Sequence, residues 1–221
     1  MNPFHVPTPD FERLLIFGAG GFGREVAWLA RQCWGSKIDV SFIVDNPKYL
    51  VNEVNGNPVR LLDDCALTPH MRYVVAIGDP GQRRRAVAAC ESHGLSATTL
   101  MHPRVEASNS INLGSGSLIC AGSILTVDID IGLHVHINLD CTIGHDVGIG
   151  SFSTLSPGVH VSGNVQIGDG VFIGTGANII NGYPDAPLII ANGAVIAAGS
   201  CVTKPVEPNA MVAGVPAVRK Y

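Results

Sequence analysis

Charge is scarce in this 221-residue chain: Asp, Glu, Lys and Arg make up 14% of it, against roughly 25% in an average protein. The net charge is −4 and the longest basic run is the triplet Arg83, Arg84 and Arg85. The positive footprint of a nucleic-acid binder is therefore missing, and DNA or RNA is not expected as a partner. No apolar stretch approaches the ~20 residues of a membrane span. Residues 1–10 have neither the basic start nor the apolar core of a signal peptide, so a cytoplasmic protein is expected. CxxC spacing is also absent. Cys33, Cys65, Cys90, Cys120, Cys141 and Cys201 are scattered and fall mostly at apolar positions, the pattern of reduced, buried thiols.

What is abundant is glycine, at 26 residues, and a period of six. Residues 113–184 divide without insertion into consecutive hexads, and each hexad opens with Leu, Ile or Val, from Leu113 and Ile119 through Ile173 and Ile179. The fifth position is mostly small or β-branched. A sustained hexapeptide period marks a parallel β-helix, in which three short strands make one coil and stacked coils bury a column of aliphatic side chains. The phase slips after Asn181, Gly182, Tyr183 and Pro184, and the pattern restarts at Ile190, Ile196 and Val202. A Pro- and Gly-rich loop is expected to interrupt the stack there. Residues 108–112 are expected to supply a frayed start.

The first hundred residues are of another kind. Strands are expected over 13–17, 40–44, 73–77 and 97–100, with helices over 24–33 and 83–92 between them. Strands alternating with helices imply a parallel sheet, here about half of a full dinucleotide fold. The chain thus reads as α/β plus all-β, with a small Rossmann-like domain over 1–101 followed by a β-helix over 102–221.

Gly18, Gly20 and Gly23 lie between a strand and a helix in G-x-G-x-x-G spacing, with Asp45 about twenty residues on. Glycines let the backbone approach a pyrophosphate, and the helix N-terminus offers unpaired N–H groups. Any nucleotide diphosphate satisfies that demand. A half-sized sheet favours a nucleotide-linked sugar over nicotinamide, with a purely structural turn as the remaining reading.

In the β-helix, residues eighteen apart stack at roughly 4.8 Å. His145 is the third residue of its hexad, at an outward-pointing corner, and Asp146 follows it. One coil on lie Gly163, over His145, and Asn164, over Asp146. Imidazoles change charge near neutrality and a neighbouring carboxylate selects the tautomer, so the pair suits a general base. A stacked glycine leaves its N–H open to an oxyanion. A merely solvated corner histidine is the competing reading. His134, His136, His145 and His160 raise the idea of zinc, but none is eighteen residues from another. Ordinary surface histidines and no metal are expected.

With GAGGFGREVA at the start, His102 and Pro103 entering the repeat, INLDCTIGHDVGIG at its centre, VHVSGNVQIGDGVFIGTGA after it and VAGVPAVRK at the end, nearly the whole chain resembles the bacterial sugar acyltransferases. These include the sialic acid O-acetyltransferases and the N-acetyltransferases of nucleotide-linked amino sugars such as bacillosamine and perosamine. The resemblance implies a left-handed coil, a homotrimer with active sites between subunits, and acetyl-CoA as co-substrate. It makes His145 the base, Asp146 its partner, Gly163 the oxyanion donor and Asn138 a residue of the site's rim. CoA contacts are implied near Thr154, Gly163, Thr175, Ala197 and Gly214, with Arg219 and Lys220 for phosphate. The acceptor, a nucleotide-linked amino sugar, is implied at Gly20, Gly21, Phe22, Asp45 and Asn46. Acetylation of a sugar hydroxyl, as on sialic acid, and a non-catalytic trimeric binding module are the alternatives. The bacillosamine branch differs in carrying Glu at Asp146, His at Thr154, and Ser and His at Gly20 and Phe22.

Overall fold

A computed structural model describes residues 9–220; residues 1–8, on which the expectation of no leader largely rests, lie outside the described residues. Strand β1 (Arg13–Phe17) is apolar on both faces, as a central parallel strand must be. Leu14 and Ile16 pack against Val26, Leu29, Ala30 and Trp34 of helix α1 (Gly21–Trp34). Leu15 and Phe17 point the other way, to Ala86, Val87 and Cys90 of helix α2 (Pro80–Ser92). β2 (Asp39–Val44) and β5 (Met71–Val75) flank β1 in parallel. β5 ends two residues before the expected 77, because Ala76, Ile77 and Gly78 open into the turn ahead of α2. The sheet is widened by β3 (Glu53–Val54), β4 (Asn57–Leu61) and β6 (Ser96–Ala97), in the order β3-β4-β2-β1-β5-β6. The β3–β4 hairpin turns through Asn55 (φ 49°) and Gly56 (φ 74°), an Asn-Gly signal that the sequence reading passed over.

Both helices start where the sequence provides for it. Gly23 lets α1 close onto β1, since a Cβ there would fall 2.0 Å from the Gly18 carbonyl oxygen. Asp79 caps α2 by accepting a hydrogen bond from the Gln82 N–H at 2.6 Å, with Pro80 in the first turn.

The segment expected as one strand over 97–100 divides. Ser96–Ala97 ends the first sheet, while Leu100–Met101 pairs with Leu118–Ile119 as the first rung of the β-helix. The repeat therefore begins earlier than residues 108–112. Its first face stacks Leu100–Met101, Leu118–Ile119, His136–Ile137, Thr154–Leu155, Phe172–Ile173, Val195–Ile196 and Met211–Ala213, and closes with Val218–Arg219 as an antiparallel edge. The second face runs from Glu106–Ala107 to Cys201–Val202, and the third from Ile111–Leu113 to Leu188–Ile190. Pairing is at eighteen residues: Ile119 with Ile137, Ile137 with Leu155, Leu155 with Ile173. Around the loop at 181–187, Ile167 pairs with Ile190 instead of Asp185, so the extra residues leave the coil and the stack resumes.

The hexad openers from Ile119 to Ile179 are buried in one column. Fifth-position serines finish its corners. Ser153 Oγ donates to the Gly168 carbonyl at 2.8 Å and accepts from the Val171 N–H at 3.0 Å, and Ser117, on the same edge in an earlier coil, and Ser123, on a neighbouring edge, do the same. Each buried hydroxyl satisfies turn groups that the ladder cannot reach.

The two parts share an interior. Leu100, Leu118 and Cys120 of the β-helix belong to the same buried cluster as α1 and β1. All six cysteines are free thiols. No described helix is long and apolar enough to cross a membrane.

Candidate active site

His145 sits on the edge between the second and third faces, in the turn after Thr142–Ile143 and before Val147–Ile149. Its side chain is 56% exposed, and its Nδ1 lies 2.7 Å from Asp146 Oδ2. Asp146 adopts φ 57°, a left-handed conformation that Asp tolerates, which turns its carboxylate back onto the preceding ring. With Nδ1–H donating to the carboxylate, Nε2 is left as the basic nitrogen. The next coil fixes the His145 main chain, since the Asn164 N–H donates to the His145 carbonyl at 2.9 Å, and the imidazole packs against Gly163. The Gly163 carbonyl accepts from the Gly182 N–H at 3.0 Å, whereas its own N–H makes no hydrogen bond among the described residues.

Asn138 is half-buried, and its Oδ1 accepts from the Leu139 N–H at 2.9 Å; it makes no hydrogen bond to His145. Cys141, four residues before the histidine, faces the interior. Its Sγ is 3.3 Å from the Ser156 carbonyl, and burial pushes its thiol up to about 11. That thiol cannot carry an acyl group.

The second cluster is a cleft of ≈ 920 Å³ at the C-terminal ends of β1 and β2. It gathers Gly20, Gly21, Phe22, Asp45 and Asn46, all expected there. It also contains Lys48, Tyr49, Gln82 and Arg85, which sequence reasoning missed. Lys48 and Arg85 bring positive charge to a cradle expected from its glycines, Phe22, Asp45 and Asn46 alone. Their signal lay in the residues that follow β2 and begin α2, the two places where a parallel sheet of this type feeds its ligand crevice.

Thr175, Ala197 and Gly214 fall on the edge between the first and second faces in successive coils. The Thr175 carbonyl accepts from Gly199 and the Gly214 carbonyl from Cys201. The Ala197 N–H and carbonyl are already used, by Val212 and Ser200. Gly214 is exposed at φ 105°, and Arg219 and Lys220 are exposed on the closing edge. These groups lie on a different edge from His145.

Thr154 requires a correction. It is buried between the two parts, where Oγ1 donates to the Gly78 carbonyl at 2.8 Å and accepts from Arg83 Nη1 at 2.9 Å, so no cofactor reaches it. His134 and His136 are not surface histidines either. His134 is stacked between Tyr73 and Phe152, and burial, with Arg83 adding to it, pushes it down to about 4. Burial and Arg83 hold His136 well below 6.5. Among the described residues no group of three or more His, Cys, Asp or Glu is placed to hold a metal.

Comparison with known proteins agrees with this architecture. The PglD N-terminal domain family matches residues 13–89. GDP-perosamine N-acetyltransferase of Escherichia coli O157:H7 is 35% identical over 186 residues, 80% of this chain and 82% of that protein. Among solved structures, WeeI from Acinetobacter baumannii AYE superimposes with a TM-score of 0.87 at 32% identity, over 95% of this chain and 100% of that one. A histidine-to-asparagine mutant of perosamine N-acetyltransferase from Caulobacter crescentus, in complex with CoA and GDP-perosamine, gives 0.83 at 28% identity, over 94% of this chain and 96% of that one. The chain belongs to the family of acetyl-CoA-dependent sugar N-acetyltransferases that join a PglD-type N-terminal domain to a hexapeptide-repeat β-helix.

Proposed function

We propose that this protein transfers the acetyl group of acetyl-CoA to the amino group of a GDP-linked 4-amino sugar of the perosamine type, with His145 as general base. The observation that carries the mechanism is the 2.7 Å His145–Asp146 pair set over Gly163, which leaves Nε2 free to take a proton and the Gly163 N–H free to receive charge. The neutral amine attacks the thioester carbon, and Nε2 accepts the proton as the C–N bond forms. Asp146 stabilises the resulting imidazolium. The oxygen of the tetrahedral intermediate is stabilised by the Gly163 N–H. The C–S bond then breaks, and the proton on His145 passes to the departing CoA thiolate. No acyl-enzyme is involved.

Within this reading, the N-terminal α/β part holds the acceptor and the β-helix, which starts at Leu100 instead of the expected 102, carries out the transfer. Gly20 and Gly21 receive the diphosphate at the N-terminus of α1. Asp45 and Asn46 meet the nucleoside, and Phe22 meets the sugar. Thr175, Ala197 and Gly214 line the pantetheine path, and Arg219 and Lys220 take the CoA phosphates. Asn138 shapes the rim through its capped turn. The nucleotide-binding part covers the first face, whereas His145 lies on the opposite edge and the CoA path on a third side. This separation supports a homotrimer in which each active site is built between subunits. The cytoplasm, where acetyl-CoA is made, is the place for such a reaction.

The test is incubation with acetyl-CoA and GDP-perosamine, with UDP- and dTDP-linked amino sugars and sialic acid alongside, following free CoA and product mass. One acetyl gained on the GDP sugar, and lost by at least about 10²-fold in His145→Ala, is the expected result. Acetylation of sialic acid alone would move the acceptor to a hydroxyl. Binding of both ligands by the wild-type protein without turnover would reduce it to a binding module.

A further inference from the structure

The three consecutive arginines at the start of α2 have three destinations. Arg85 enters the nucleotide cleft. Arg84 lies 4.1 Å over the Phe152 ring of the β-helix. Arg83 is fully buried between the two parts; among the described residues no carboxylate forms an ion pair with it, and Asp79 acts on its charge only from a distance. Its Nη1 donates to the Ile77 carbonyl at 2.9 Å and to Thr154 Oγ1 at 2.9 Å, and faces His136 Nδ1 at 2.9 Å. Its Nη2 donates to the carbonyls of Phe152 and Ser153. Thr154 closes the circuit by donating to the Gly78 carbonyl. His136 must therefore be neutral, with Nδ1 as acceptor.

A buried ion is costly in desolvation, and an apolar side chain of similar size often serves stability as well or better. What a guanidinium supplies and an apolar group does not is fixed direction: its planar fork joins carbonyls of the β5–α2 turn to carbonyls of one β-helix corner. The outward rungs of the first face reflect this contact. Leu100 and Leu118 are apolar and share the cluster of α1, whereas His136, which also lies against Phe22 of α1, and Thr154 are polar where Arg83 reaches them.

We infer that Arg83 is a positioning residue for acetyl transfer: by fixing the first turn of α2 to His136 and Thr154 on two successive coils, it sets where the cleft presents the sugar's amino group. Arg85 and Gln82 on the same turn carry that registration into the cleft. The inference rests on the cleft holding the nucleotide sugar. Because it concerns placement and not adhesion, losing it affects turnover more than nucleotide affinity, and a displacement of about 1 Å is enough to cost large factors in rate.

The experiment compares wild type, Arg83→Lys and Thr154→Val for kcat and KM with acetyl-CoA and GDP-perosamine, alongside the Kd for GDP and the melting temperature. Arg83→Lys keeps the charge but loses the fork, and kcat per folded protein is expected to fall at least about tenfold. Thr154→Val keeps the shape, removes the hydrogen bonds to both Arg83 and the Gly78 carbonyl, and is expected to lower kcat about fivefold. In both, KM for acetyl-CoA and the Kd for GDP stay within about twofold of wild type. A kcat unchanged in the folded variants, or a GDP affinity that weakens in step with kcat, overturns the positioning role. If Arg83→Lys fails to fold, Thr154→Val decides the matter. Failure of the wild-type protein to bind GDP or to acetylate the sugar would instead overturn the reading of the cleft itself.

Discussion

A Cβ added to Gly163 would fall 2.4 Å from Nε2 of His145, one coil below it. The glycine thus leaves the space that the His145 ring occupies, and it is not required by backbone strain, since its φ lies outside the left-handed region.

Gly163→Ala is accordingly expected to fold, with a melting temperature close to wild type, and to push the imidazole off its seat. Turnover should fall by about 10²-fold, the scale of a misplacement near 1 Å. Steady-state kinetics together with a thermal melt check this; an alanine variant with full kcat would remove Gly163 from the site.

Asp146→Asn is a clean test of the carboxylate, because Asn also accepts the φ of 57° found there. The ring keeps a polar neighbour but loses the charge that stabilises its protonated form. A loss of kcat between about 10- and 10³-fold is expected, with KM for acetyl-CoA unchanged. The measurement is kcat and KM at fixed pH.

His134 and His136 predict an acid limb in stability. Burial and Arg83 push His134 down to about 4 and hold His136 well below 6.5, so both rings take up protons more readily in the unfolded chain. The stability they protect is complete above 6.5 and is lost as the pH falls through the window toward 4. Melting temperatures across that window should decline less steeply in His134→Asn, a non-titrating residue that tolerates the φ of 53°. An equal slope in variant and wild type would assign the acid limb to other groups.

Ser153→Ala removes a hydroxyl that serves both the Gly168 carbonyl and the Val171 N–H. A buried N–H and a half-buried carbonyl lose their partner, and a loss of about 2 kcal/mol is expected. Exposed Ser162→Ala, nine residues on, is the control and should be near neutral. Denaturant melts of the two variants check both values.

The period of six made the β-helix legible, because an aliphatic opener every six residues is a local property that no distant contact has to supply. The stacking of His145 under Gly163 followed from the same arithmetic. Where the reading stopped, the reason was physical. His136 and Thr154 occupy outward positions of the prism, and outward means exposed only if nothing covers the face. The covering element is Arg83, at 53 and 71 residues' distance, and no periodicity announces it. Lys48 and Arg85 were missed in the same way, since they meet only when the sheet has brought the ends of β2 and α2 to one crevice. The Asn55-Gly56 hairpin is different, since an Asn-Gly turn between two short strands is a purely local signal.

Leu118 and Cys120, which close the underside of the α1 layer, have a bearing on how such proteins diversify. An interior shared across the junction leaves neither half with a complete surface of its own. Exchanging the front half for one with another nucleotide preference would demand a helix that fits these same rungs. Changes of a few side chains along the crevice demand nothing of the kind. In this architecture new acceptor preferences are therefore more accessible by substitution in place than by trading modules.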